Sequence, residues 1–292
     1  MPSRNYTMTL GFPPFTRAIK WLVIINTAIY LLRLLMIAFA TGTWGTIEAL
    51  TALTPLAVVH GWIWQLVTYS FIHVGLFHIA FNMLTLWMFG AQLETDWGFN
   101  QFLEFYFYCV VCAALVTIAI AYLGTVPGVT FLGISPLTPT VGASGGIFGV
   151  MVAFAVLYGD QEFMLFPLPF MIRAKYLVGI LILIALAGAF EGLGPAHRGQ
   201  SVAYFAHLGG ALFGYLYVKF LPRRGLTYAF SEHYFGVRNS YYKWKRRRAA
   251  RKFQVYMRRH GRDVYFDEHG NYRDPDAADK HNGESKSPPW VN

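Results

Sequence analysis

The sequence predicts an all-α, polytopic membrane protein built as a bundle of six transmembrane helices. Three observations predict it. The 292 residues are 55% hydrophobic and only 13% charged, about half the roughly 25% charge of a soluble domain. Six apolar stretches, at about 18–40, 66–92, 102–124, 143–159, 175–193 and 201–221, come near the roughly 20 residues that a helix needs to cross a bilayer. Lys and Arg then fall mainly on one side of the membrane that those spans define.

Residues 1–17 read as a cytoplasmic N-terminal segment, and 18–221 as the six-helix membrane domain. The first run has no cleavage pattern ahead of it and is expected to be an uncleaved signal anchor. The second includes some interfacial sequence. The third carries Cys109 and Cys112 one turn apart, which suits ordinary buried thiols better than a staple between distant segments. Gly, Pro and Thr dominate 124–141 (GTVPGVTFLGISPLTPTV), which marks a loop. The fourth run is short and Gly-rich and is expected to start below the membrane surface.

Orientation follows from the basic residues. Arg4, Arg17 and Lys20 lie at the N-terminus, and Arg173 and Lys175 between the fourth and fifth runs. Arg198 alone lies opposite, with Arg33 able to snorkel from the end of the first helix. Glu94, Asp96 and Glu104, assigned to the second-to-third connection, bring no basic residue to the vote. Both termini are therefore expected in the cytoplasm, with a bacterial cytoplasmic membrane as the expected location.

Residues 222–292 form a cytoplasmic tail, basic and then polar, that is expected to be largely disordered. Much of the net charge of +9 comes from it, notably from KWKRRRAARK at 243–252. Such a run can act as a positive-inside anchor or bind anionic lipid headgroups. Nucleic acid would use similar residues, but the juxtamembrane position favours lipid, and no nucleic-acid partner is expected.

Polar side chains inside apolar runs are costly in lipid and usually functional. Five stand out: His73, His78 and Asn82 in HVGLFHIAFN, Ser144 in GASGGIFGVM, and His207 in AHLGGALFG. His78 and Asn82 are four apart and share a helix face. His73 is rotated from His78 by roughly 140° at 3.6 residues per turn, so it points elsewhere or precedes the helix. That weakens a zinc site, which needs about three convergent ligands. No HExxH occurs either, and no metal or other cofactor is expected.

Ser144 and His207 lie on different runs, each among small residues. Gly142, Gly145, Gly146 and Gly149 surround the serine, and Gly210 and Gly214 form a small-xxx-small stripe after the histidine. Such stripes let two membrane helices approach closely. If they face each other, His207 Nε2 can reach Ser144 Oγ, the arrangement of an activated nucleophile. The Ser144 N–H at a helix start, with His78 and Asn82, could face an oxyanion. No acidic residue sits mid-membrane to serve as a third member. Phe148, one turn after Ser144, is the ring expected to hold the imidazole by stacking.

These residues resemble the rhomboid intramembrane serine proteases over roughly 15–221. The family's GxSG appears as Gly142-Ala143-Ser144-Gly145, its HxxxxHxxxN as His73, His78 and Asn82, and its AHxxGxxxG as Ala206, His207, Gly210 and Gly214. The resemblance implies a bundle whose polar cavity opens to the non-cytoplasmic side. Ser144 would be the nucleophile and His207 the general base, with His78, Asn82 and the Ser144 N–H around the oxyanion. The substrate would be another protein's transmembrane segment, cut near its outer end. Two positions depart from the family: its frequent Trp-Arg in the first loop is Trp64-Gln65 here, and a common tyrosine is Phe148.

Three alternatives fit these residues less well. GASGG matches the elbow of soluble α/β-hydrolases, but Pro136 and Pro139 precede it where a strand is required. A transporter would need more intramembrane polar residues than Asn26 and Arg33 supply. An inactive rhomboid-like protein that binds membrane clients would usually lack the serine or the histidine, and both are present.

Overall fold

The computed structural model of the chain describes residues 13–126, 135–164, 171–191, 201–220, 225–267 and 270–273. Met1–Gly225 and Leu226–Asn292 form two compact units, which are described separately.

In the first unit six helices occupy the six apolar runs: α1 (Arg17–Phe39), α5 (Leu76–Trp97), α6 (Phe99–Leu123), α7 (Ser144–Tyr158), α8 (Ala174–Glu191) and α9 (Ser201–Phe220). Three short helices, α2 (Thr41–Thr51), α3 (Pro55–Val59) and α4 (Gln65–Thr68), build the long connection from α1 to α5. A hairpin of β1 (Glu162–Met164) and β2 (Met171–Arg173) joins α7 to α8. Among these helices, α1, α5 and α6 are long and apolar enough to cross a bilayer, and α7 and α8 are apolar but shorter. Large side chains such as Trp21, Leu35, Phe77, Phe81 and Leu183 point outward. An outer surface this apolar needs lipid rather than water around it.

Helix α7 is the centre of the bundle and packs against α5, α6, α8 and α9. Its residues from Gly145 to Phe154 are almost all buried. Tyr158, near its end, hydrogen-bonds Asp96, and the neighbouring Asp160 pairs with Lys175 at 2.7 Å. The hydrogen bond from Lys175 holds the Asp160 carboxyl below the usual carboxylate range. Charged side chains gather at this end of α7. With 15 residues, α7 is about 22 Å long, against roughly 30 Å of hydrocarbon. A helix of that length is shorter than the hydrocarbon it would have to cross.

Small residues set the spacing between α7 and α9. A Cβ at Gly210 would collide with the carbonyl of Gly145, and one at Gly214 would lie 2.6 Å from Gly149 Cα. Both obstacles are backbone, which cannot rotate aside.

The interfacial part of the run at 66–92 is distinct from its helix: Tyr69–Phe71 is a 3₁₀ turn, Ile72 is extended, and α5 starts only after Gly75, itself extended. One sequence expectation for this unit is corrected: Glu94, Asp96 and Glu104 are not in a connection. The first two lie in α5 and the third in α6, and Gly98 alone, at φ +83°, makes the turn. The helices continue past the apolar stretch because Glu94 has a buried task.

That task is capping. The Glu94 carboxylate accepts hydrogen bonds from the N–H groups of Ala18 at 2.7 Å and Ile19 at 3.1 Å, and from the Thr16 hydroxyl. It fills the start of α1, where N–H groups lack carbonyl partners and the helix dipole favours an anion.

The first connection is tied down by Gln65, which is fully buried. Its Oε1 accepts from the Thr54 N–H at 3.0 Å, and its Nε2 donates to the carbonyls of Ala49 and Leu50 at 3.2 and 3.3 Å. Trp64 Nε1 donates to Leu50 O at 2.9 Å. The Trp64-Gln65 departure thus keeps a polar staple without a cation.

The second unit corrects the expected disorder of the tail in part. Helix α10 spans Gly225–Arg259, and a small hairpin, β3 (Tyr265–Phe266) with β4 (Tyr272–Arg273), follows it. Lys, Arg, Ala and Gln are good helix formers, and aromatic residues on α10 give the hairpin something to pack on: Phe253 meets Phe266 at 6.2 Å between ring centroids. Residues 274–292, which include the polar end, lie outside the described residues.

Glu94→Gln should lower stability by about 1–3 kcal/mol, because charge-assisted hydrogen bonds are replaced by weaker neutral ones. Thermal unfolding of the purified protein in one detergent measures it; an unchanged midpoint would remove the cap from the stability of the bundle.

Candidate active site

Ser144 is the first residue of α7, and His207 lies in α9. The close packing of the two helices brings Ser144 Oγ to 2.7 Å from His207 Nε2. At that distance one group donates and the other accepts. With Nε2 as acceptor, the imidazole carries its proton on Nδ1, the tautomer that a general base requires. Among the described residues, His207 hydrogen-bonds Ser144 and no carboxylate.

The imidazole is instead held by rings. Phe148, one turn after Ser144, stacks on it with centroids 4.4 Å apart and planes 6° apart. Tyr204, three residues before His207 on α9, meets the same ring edge-on at 6.0 Å and 90°. The sequence points to Phe148. It is silent on Tyr204, although its i−3 spacing from His207 is the signal that could have found it.

The turn before Ser144 is specialised. Gly142 has φ +119°, which L side chains rarely adopt, and its N–H donates to Tyr69 O at 2.9 Å. A Cβ there would also lie 2.7 Å from His78 Nε2 and 2.9 Å from its Cε1. Gly142 therefore both turns the chain and leaves room for the His78 ring. The N–H groups of the first turn of α7, that of Ser144 included, have no carbonyl four residues back within the helix.

Asn82 is one turn after His78 on α5 and is buried. Its Nδ2 donates to His78 O at 2.9 Å. One amide hydrogen is thus committed to the helix. His73 lies ahead of α5 rather than on it, and is only 1% exposed. Its ring meets that of His78 at 5.0 Å, and its Nε2 is 3.5 Å from the Ala143 nitrogen. So the residue whose helical phase pointed away from His78 packs behind it, because the chain bends at Gly75. The structure brings Ser144, His207, Phe148, Gly142, His78 and Asn82 to one end of the bundle.

An apolar helical bundle enclosing a hydrogen-bonded Ser–His pair defines an integral membrane protein of rhomboid-like architecture. Comparison with known proteins extends this. The Rhomboid domain family model matches residues 60–224, more than half of the chain. The chain belongs to the rhomboid family.

Among curated relatives, Rhomboid protein 1, mitochondrial, of Saccharomyces cerevisiae is 31% identical over 156 residues, covering 53% of this chain and 40% of the relative. Rhomboid-like protein 19 of Arabidopsis thaliana is 29% identical, covering 56% of this chain and 50% of the relative. Human presenilin-associated rhomboid-like protein, mitochondrial, is 30% identical, covering 52% and 36%. The chain thus matches half or less of the length of these relatives. Mitochondrial and plant proteins give no support to the bacterial cytoplasmic membrane expected from the sequence.

Gly142→Ala should cost about 1–3 kcal/mol from the positive φ alone, with the His78 clash added. Thermal unfolding against the wild type reads it, and an unchanged midpoint would show that the turn relaxes freely.

Proposed function

We propose that the chain is an intramembrane serine endopeptidase that hydrolyses peptide bonds in or near transmembrane segments of other membrane proteins. The observation that carries it is the 2.7 Å contact between Ser144 Oγ and His207 Nε2 inside a helical bundle of the rhomboid family. A serine hydroxyl is a weak nucleophile until a base takes its proton.

That contact supports one sequence of steps. His207 Nε2 accepts the hydroxyl proton as Ser144 Oγ bonds to the carbonyl carbon of the substrate. The carbonyl oxygen takes up the negative charge, facing the Ser144 N–H, the His78 ring and Asn82 Nδ2. His207 then gives its proton to the departing amine nitrogen, and the C–N bond breaks. Water repeats the cycle on the acyl-serine and releases the carboxyl product. Losing one oxyanion donor typically costs about 10²–10³ in kcat.

Substrate transmembrane segments would reach Ser144 near the end of their span, since α7 is too short to reach both membrane surfaces. With Arg173, Lys175 and the basic tail on the cytoplasmic side, the surface it does not reach is the non-cytoplasmic one and both termini are cytoplasmic.

Ser144→Ala and His207→Ala should each abolish cleavage of a transmembrane reporter in proteoliposomes while the variants stay folded and inserted. Undiminished cleavage by either variant would sink the dyad. Wild type that binds a transmembrane client but never cuts it, with both variants binding equally well, would instead favour a non-enzymatic rhomboid-like protein.

Phe148→Leu should lower kcat by about tenfold or more with little change in KM, because misplacing a catalytic group slows the step after binding. Phe148→Tyr keeps a stacking ring and should stay within a few-fold of wild type. Equal kcat for the Leu variant and wild type would take the stack out of the mechanism.

A further inference from the structure

We propose that one face of α10 is a docking surface for an anionic membrane, recognised through the phosphate groups of its lipids. The proposal concerns a segment beyond the matched domain, which ends at residue 224. It does not depend on proteolysis.

Two faces of α10 differ in what covers them. One side carries Ala250, buried, and Phe253, which is 48% exposed but whose ring meets Phe266 of the hairpin. Gly270 lies against the backbone of Arg246 and Arg247, where a Cβ would be 3.0 Å away. The hairpin occupies this side.

The other side follows helical spacing through Trp244, Arg248, Arg251, Val255 and Arg259. Steps of four, three, four and four residues keep these on one stripe. Trp244 and Val255 are 51% and 55% exposed, a large apolar area for a helix in water. The Arg248 guanidinium lies 5.3 Å from the Trp244 ring, and Tyr241 stacks on Trp244 with centroids 6.1 Å apart. Arg251, Lys252, Val255, Tyr256 and Arg259 line a shallow depression on this side. The run KWKRRRAARK has seven basic residues and no acidic one.

Charge complementarity calls for an anionic surface. Exposed Trp and Tyr beside the cations favour a membrane over a polynucleotide, since their amphipathic rings settle at headgroup level. Arg suits phosphate in either case. The covalent link decides further: Lys243 follows the end of α9 by 23 residues, so a bilayer is always within reach and the encounter is intramolecular. A polynucleotide would have to arrive from solution.

The test is hydrogen exchange of the full-length chain in nanodiscs of phosphatidylcholine, alone or with roughly a third phosphatidylglycerol. Both leaflets then present the same headgroups, so topology does not enter. Amides across 241–259 should exchange roughly tenfold more slowly in the anionic discs, and about 0.5 M salt should remove the slowing. A triple variant, Lys245→Gln, Arg248→Gln and Arg251→Gln, should lose the slowing yet match wild type in neutral discs. Should that variant lose its helix there, Trp244→Ala takes its place and should lose part of the slowing. Equal exchange in the two discs overturns the proposal, as does slowing that survives the triple variant. An oligonucleotide that binds wild type as tightly in anionic as in neutral discs would also overturn it, in favour of nucleic acid.

Discussion

Contact between α7 and α9 without side chains between them is the constraint on which the site depends. At Gly210 and Gly214 the obstacles to a Cβ are the backbone atoms of Gly145 and Gly149. Lipid offers no hydrophobic drive to bring helices together, so association rests on close packing. Only backbone-to-backbone approach gives packing this tight. Ser144 adjoins Gly145 on one helix, and His207 lies one turn before Gly210 on the other. The spacing that packs the helices therefore also sets the 2.7 Å between their polar atoms. A wider interface would separate the pair by the same increment, beyond hydrogen-bond reach.

With the helices fixed, the imidazole needs an orienting group. In a triad a buried carboxylate does this. Here the face and edge of the ring are engaged by Phe148 and Tyr204 instead. A parallel stack restrains ring tilt and leaves both nitrogens in the ring plane for hydrogen bonding. It also spares the site a second buried charge, which would need several partners of its own in a low-dielectric interior. His73 supports His78 in the same way, by ring packing.

Much of this is legible in the sequence, and the limits are physical. The six runs and the Gly stripes follow from composition and helical spacing, which are local; the pairing of Ser144 with His207, on different runs, follows only on the condition that those stripes face each other. Phe148 follows from its phase with Ser144. What escapes depends on contacts distant in sequence. Glu94 reads as an interfacial acid until the start of α1 lies against it, 75 residues away in the chain. For His73 the sequence leaves two placements open, and the start of α5 after Gly75 leaves it ahead of the helix, the second of them. The tail is expected to be largely disordered, yet Phe253 of α10 finds Phe266 of a hairpin to pack on.

Gln65 carries the same lesson about substitution. An arginine at this position would bring a charge that must be neutralised where it is buried. Gln65 supplies an acceptor and a donor group to a loop that needs both: one for the Thr54 N–H, the other for the Ala49 and Leu50 carbonyls. The loop's demand is for satisfied backbone groups rather than for a cation. An uncharged amide meets it. The departure therefore leaves the connection ahead of α5 tied in place, and with it His73 and the start of the helix that presents His78 and Asn82.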